Sequence, residues 1–197
     1  NYAVHTPIQA IPEVAAKYQK EGKTPIQAKY AALVESVDDA VGGILNLLEE
    51  LELDEKTLVI FTSDNGGLDR DGSPTDNAPL RSGKGYAYEG GIRVPFLVRW
   101  PGKVQPGRVS DLIFSQVDIM ATLAEVSGTK APSDTDGLSV LPEILGNSAE
   151  QKKHDMLYWE YGNQTAVRYG KWKAVESNKR KKSRWELFDL EKDIGEQ

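Results

Sequence analysis

Asp64 and Asn65 stand side by side and are followed at once by Gly66 and Gly67. A carboxylate and a carboxamide are hard oxygen donors of the kind calcium or magnesium takes, whereas zinc favours imidazoles and thiolates. Adjacent side chains of an extended strand point to opposite faces, so both oxygens reach one ion only where the chain bends, and two glycines permit the bend. The same four residues are also ordinary turn chemistry. Two oxygens leave calcium short of its ~6 to 8 ligands, so the others must come from elsewhere. A second candidate is Lys84, held between Gly83 and Gly85. Those glycines let backbone approach a ligand closely while the ammonium offers a mobile point charge to an oxyanion. His5, in VHTPIQAIP, is a third: an unperturbed imidazole titrates near ~6.5 and can donate a proton or hold an anion. Taken singly, a lysine in a glycine-rich loop and a histidine in a proline-rich one are equally solvated residues.

These residues need elements to position them. Ahead of Asp64 the run TLVIF (57–61) is continuously apolar, the pattern of a strand buried on both faces of a parallel sheet, at whose carboxyl end ligands sit in open α/β sheets. Apolar residues from Leu33 to Leu51 recur at three- and four-residue steps, which predicts an amphipathic helix from Pro25. A helix leading into a buried strand is half of a βαβ unit and implies a preceding parallel strand. Pro7 and Pro12 keep residues 1–12 extended or looped. Residues 68–87 are polar and too long for an ordinary connection, which points to function. A strand follows in IRVPFLVRW (92–100), then a helix in VDIMATLAEVSG, with Asp118 to cap its start and Gly128 to end it. LSVLPEILG makes a short helical piece. From Met156 the runs MLYWEY, TAVRYGKWKAV and RWELFDL alternate as antiparallel strands. The division expected is 1–149 and 150–197.

Composition narrows the classes. Thirty Asp and Glu against 24 Lys and Arg give a net charge of −6 over 197 residues, which offers no electrostatic footprint for nucleic acid. With no cysteine there is neither a disulfide nor a thiolate metal site. No apolar run approaches the ~18 residues of a membrane span. The chain opens at Asn1 without an initiator methionine or a targeting signal, and the natural protein is expected to begin earlier.

VHTPIQAIP, YAALVESVDDAVGGIL, TLVIFTSDNGG, GKGYAYEGGIRVPFLVRWPG, QVDIMATLAEVSG, GKWKAV and ELFDLEKDIGEQ together form a long ordered pattern. It resembles the carboxyl-terminal part of a type I sulfatase, an arylsulfatase-like member of the alkaline phosphatase superfamily. The resemblance implies an α/β fold: part of a sandwich with a mostly parallel central sheet, followed by a small antiparallel-sheet subdomain. It implies hydrolysis of sulfate esters, aryl or carbohydrate, by a periplasmic or secreted enzyme. Asp64 and Asn65 become calcium ligands, Lys84 binds the sulfate, and His5 lies against the sulfate or the ester oxygen. The nucleophile implied is a formylglycine made from Cys or Ser in a Cys-x-Pro-Ser-Arg motif. That motif, a second acidic pair of calcium ligands and a Gly-Lys-Trp-His segment are not in this chain, which is therefore expected to supply half of a metal site and to lack the amino-terminal half of the enzyme. GKWK at 170–173 is no substitute for the last of these.

Other residues have plainer expectations. Asp38 and Asp39 fall on the polar side of their helix, Glu89 and Arg93 brace the double glycine, His154 is solvated, and NKRKKSR (178–184) forms a hairpin tip. Two rival functions are a phosphoric or phosphonic ester hydrolase of the same superfamily and a non-catalytic carbohydrate- or protein-binding module. The first would carry Asp-His after the strand, where Asn65 stands. The second leaves Asp64, Asn65 and Lys84 together unexplained. This chain purified alone should therefore not turn over a chromogenic aryl sulfate and should bind calcium weakly. Sulfate release and titration calorimetry check this; tight stoichiometric calcium binding would reveal further ligands within it.

Overall fold

The computed structural model describes residues 4–177 and 184–197. The chain divides into two compact units, Asn1–Leu58 with Gly72–Pro74 and Val59–Asp71 with Thr75–Gln197. In the first unit, α1 (Pro12–Lys20) packs on α2 (Pro25–Glu50). The long helix begins where its pattern starts. The Thr24 hydroxyl accepts from the Gln27 amide at 3.4 Å, and the Gln27 side chain accepts from the Thr24 amide at 3.1 Å. Pro25 takes the first helical position, where its missing N–H is no loss. The shorter helix differs from expectation: Pro12, read as part of an extended segment, opens α1 instead. Glu35 ties the pair together, accepting from the Tyr18 hydroxyl at 2.7 Å and the Lys17 ammonium at 3.1 Å. Asp38 and Asp39 are exposed, as their side of the helix predicts.

The second unit begins with β1 (Val59–Thr62), which pairs with β2 (Phe96–Arg99). The α/β class holds, but this pair is antiparallel, Val59 opposite Arg99 and Thr62 opposite Phe96. The long excursion of residues 63–95 returns the chain against the direction of β1. No parallel neighbour of β1 occurs among the described residues, so the apolar run is not covered on both sides and Phe61 is 43% exposed.

Farther along, α4 (Asp118–Val126) ends at Gly128, whose φ of 70° is the left-handed geometry expected there. Asp118 does not cap its own helix. It is the first helical residue, and its buried carboxylate accepts from the amides of Ser115 at 2.8 Å and Leu138 at 2.7 Å. His154 is likewise corrected. The segment after α5 (Leu141–Ile144) runs back past the start of α4 and sets His154 Nε2 2.7 Å from Asp118 Oδ1, largely out of solvent.

The chain closes with β3 (Leu157–Tyr161), β4 (Gln164–Tyr169), β5 (Trp172–Ser177) and β6 (Arg184–Asp189), neighbours in that order and antiparallel throughout. Two-residue loops join β3 to β4 and β4 to β5, and Gly162 and Gly170 take the positive φ such turns require. The proposed tip between β5 and β6 lies outside the described residues except for Arg184. Alternation then sorts the side chains. Leu157, Ala166, Val175 and Phe188 are buried on one face, where Ala87, Tyr88 and Leu190 join the core. Leu187, next to Phe188 but on the other face, is 66% exposed. No helix among the described residues is long and apolar enough to cross a membrane. Phe188→Ala should cost about 3 kcal/mol of stability and Leu187→Ala within about 0.5 kcal/mol. Equal losses in denaturant melts would contradict the assignment of faces.

Candidate functional site

The backbone leaves β1 at Thr62 and turns through Ser63, whose hydroxyl donates to Asn65 O at 2.9 Å. The turn brings the Asn65 amide nitrogen to 2.6 Å from Asp64 Oδ2, so the two side chains converge. Gly66 then passes directly over the EGGI turn α3 (Glu89–Ile92), its amide donating to Gly91 O at 2.9 Å. A Cβ on Gly66 would lie 1.7 Å from Gly90 O, so glycine is required by contact. Gly67 O accepts from the amide of Lys84 at 2.9 Å, joining the Asp-Asn turn to the lysine loop through the backbone. The result is a cleft of about 1170 Å³ lined by Asp64, Asn65 and Lys84 together, with Arg93, Trp159 and Arg168 among its other walls.

Side chains that the sequence reading did not single out fix these loops. Asn77 accepts from the Gly67 amide at 3.2 Å and donates to Gly67 O at 2.9 Å and Ser82 O at 3.0 Å. Gln164, at the start of β4, accepts from the Ala87 amide at 3.1 Å and donates to Gly85 O at 3.0 Å, gripping the lysine loop just after Lys84. Arg81 lies over the Tyr88 ring at 4.0 Å and donates to Glu196 O at 2.6 Å.

Beneath the loops sits a charged cluster. Lys173, fully buried in β5, has its Nζ 2.8 Å from Glu89 Oε1 and 2.8 Å from Glu196 Oε1. Arg93 pairs with Glu89 at 3.5 Å, as the sequence suggested, but Lys173 and Glu196 did not figure in that reading. The signal was present: in WKAVES the alternation that buries Val175 also buries Lys173, and a buried ammonium demands partners. Burial lowers the affinity of Arg168 for its proton, opposed by Glu89.

Asp64 and Asn65 thus bring a carboxylate and a carboxamide together on a bent backbone, the Asn65 nitrogen donating to Asp64; their oxygens are a donor set that fits calcium as a partial site once the carboxamide turns its oxygen to the ion. Among the described residues no cluster of three or more His, Cys, Asp or Glu converges as a metal site. His5 belongs to the first unit, exposed, with Nδ1 2.7 Å from Thr6 O, and the cleft is built from the second.

Residues 2–129 match the family model described as Sulfatase. The chain belongs to the sulfatase family. Residues 82–197 also match the model described as N-sulphoglucosamine sulphohydrolase, C-terminal, which covers the lysine loop, the charged cluster and the four-stranded sheet. A sulfatase of Formosa agariphila is 38% identical over 183 residues, which is 85% of this chain and 32% of that protein. The N-acetylgalactosamine-6-sulfatase of Canis lupus familiaris is 34% identical over 176 residues, 87% of this chain and 32% of that one. The solved structure of Ps i-CgsB in complex with k-i-k-neocarrahexaose superposes with a TM-score of 0.85 at 33% identity, covering 99% of this chain and 43% of that one. This sulfatase chain therefore spans about a third of the length of the curated relatives it matches.

The charged cluster makes the stability of the sulfatase chain depend on pH. Burial pushes the Glu196 carboxyl above the ordinary range, and the pull of Lys173 only partly offsets it. A group whose pKa folding raises adds stability that is full below its unfolded value, near ~4.3, and is lost as pH rises through the folded value. The stability margin of wild type over Glu196→Gln should therefore be greatest in acid and narrow upward from about pH 4. Denaturant melts of both proteins across that range check the sign, and a margin that widens with pH contradicts it.

Proposed function

We propose that the whole protein hydrolyses sulfate esters, of the carbohydrate class named for relatives such as the N-acetylgalactosamine-6-sulfatase, and works in the periplasm or outside the cell. The observation that carries this reading is the shared cleft: Asp64, Asn65 and Lys84 line one wall system, tied through Gly67, in a chain of the sulfatase family. In this reading residues 1–149 are the carboxyl-terminal portion of the catalytic α/β domain and residues 150–197 a small subdomain that backs it.

Asp64 and Asn65 would hold calcium with ligands from beyond this chain, and the bound ion would offset charge on the sulfate oxygens; the nucleophile would be a formylglycine from a Cys or Ser also outside it. What this chain does is bind and hold. The Lys84 ammonium donates to a sulfate oxygen, and that contact strengthens as negative charge builds up in the transition state. His5 would hold the sulfate or supply the proton that the leaving alcohol oxygen takes as its bond to sulfur breaks. Glycines on both sides of Lys84 let the backbone of its loop approach the sulfate closely.

The roles of Lys84 and the Asp-Asn pair separate experimentally. In the full-length protein Lys84→Ala should lose on the order of 10²-fold in turnover with calcium affinity unchanged, as loss of one oxyanion donor commonly does. Asp64→Ala should lose both. Calcium titration and steady-state hydrolysis of sulfated saccharides distinguish them, and wild-type rates in Lys84→Ala would mean the lysine plays no part in turnover.

A further inference from the structure

The buried charges beneath the cleft touch none of its candidate ligands, yet every loop of the site leans on the turn they hold. Glu89 is the first residue of α3 and is 2% exposed. Its carboxylate receives Lys173 Nζ at 2.8 Å, and its backbone amide donates to Glu196 Oε2 at 2.6 Å. Glu196 has a positive φ of 54° and no exposed surface, so the last turn of the chain is bent to bring that carboxylate inward. One side chain from β5, one from α3 and one from the closing segment thus meet at a single ammonium.

From α3 the constraint passes outward through backbone. The Gly91 carbonyl takes the Gly66 amide, the Gly90 amide donates to Arg81 O at 2.9 Å, and Gly67 O takes the Lys84 amide. There is no slack for α3 to shift. A Cβ on Gly91 would lie 2.0 Å from Tyr86 O, and one on Gly90 would lie 2.2 Å from Ser82 O, so backbone rests on backbone on both sides of the turn. An apolar contact would fill the same volume, but it has no direction. Two carboxylates on one ammonium, with one of them also taking the Glu89 amide, fix where α3 lies and which way it faces.

We infer that Glu89, Lys173 and Glu196 form a positioning triad that sets the Asp64–Asn65 turn and the Lys84 loop relative to each other, by locking α3 between the carboxyl-terminal sheet and the end of the chain. The inference rests on the sulfatase reading for what the positioned groups do, and on the hydrogen bonds and the Lys173–Glu196 ion pair alone for the positioning itself. These three are positioning residues: their effect reaches the cleft through Gly66, Gly67 and Gly91.

The test compares full-length wild type with a variant in which the triad is neutral, Glu89→Gln, Lys173→Met and Glu196→Gln together, since exchanging buried charges for neutral groups of similar volume often leaves stability nearly unchanged; Arg93 and Arg168, the outer partners of Glu89, stay in place. Amide hydrogen exchange, thermal unfolding and calcium chloride titration are measured on both. The triad reading expects a folded variant in which residues 62–68 and 82–92 exchange at least about tenfold faster, α4 and β3 are unaltered, and calcium binds about tenfold more weakly, as loss of outer-shell support does. Wild-type protection in both segments with wild-type calcium affinity would overturn it and leave the triad a stability element only. Should the triple variant not fold, Glu196→Gln keeps the Lys173–Glu89 pair and an acceptor oxygen. Its exchange must then rise first in 82–92, and a uniform rise across the sheet overturns the inference. A wild-type protein that neither binds calcium nor releases sulfate would sink the functional reading, while the exchange comparison would still decide the positioning.

Discussion

An ammonium with no exposed surface is the constraint from which the second unit is organised. Removing a lysine charge from water costs several kcal/mol even after relaxation, roughly, and only close, well-oriented carboxylates offset it. Lys173 has two at 2.8 Å, a hydrogen bond to Glu89 and an ion pair with Glu196, brought from segments far apart in the sequence. Loss of both carboxylates would strand the charge, at about 3 to 5 kcal/mol for a broken buried pair. The four-stranded sheet, the EGGI turn and the end of the chain are therefore bound to one another at a point. The apolar contacts of Tyr88, Val175, Phe188 and Leu190 surround that point without specifying it.

Everything chemically interesting lies one layer out from the lysine. α3 offers carbonyls and small residues instead of side chains, so the Asp-Asn turn and the lysine loop can settle directly on it. Glycine is needed there for contact more than for conformation: only a missing Cβ lets Gly66 cross Gly90. Asn77 and Gln164 hold the same two loops from other sides, each satisfying backbone groups on both loops or on both flanks of one. The cleft is thus lined by polar groups whose own placement comes from hydrogen bonds of fixed direction, which suits a site that must hold small charged oxygens at set distances.

What could be read from the sequence was what has a local cause. The start of the long helix at Pro25, the helix stop at Gly128 and the alternating antiparallel runs after Met156 each follow from a residue or two or from a short pattern, and the structure has them. The gathering of Asp64, Asn65 and Lys84 was legible for a different reason, because the ordered pattern around them resembles one family over most of the chain. Long-range effects were not legible. The antiparallel pairing of β1 with β2 depends on where the excursion of residues 63–95 returns, which no window of residues encodes. His154 read as solvated because its neighbours in sequence are charged, whereas its partner Asp118 comes from the start of α4, 36 residues earlier. Lys173 was hidden by its family motif position, though its alternation with Val175 marked it as buried.

The central proposal is that Asp64 and Asn65 would ligate a calcium ion in the cleft that Lys84 also lines. The direct measurement is anomalous diffraction from crystals of the full-length protein in which a lanthanide replaces calcium. The account predicts one strong anomalous peak with the Asp64 carboxylate and the Asn65 carboxamide oxygens at roughly 2.3 to 2.6 Å. A fully occupied peak elsewhere, with the Asn65 amide still donating to Asp64 and no density between them, would contradict it.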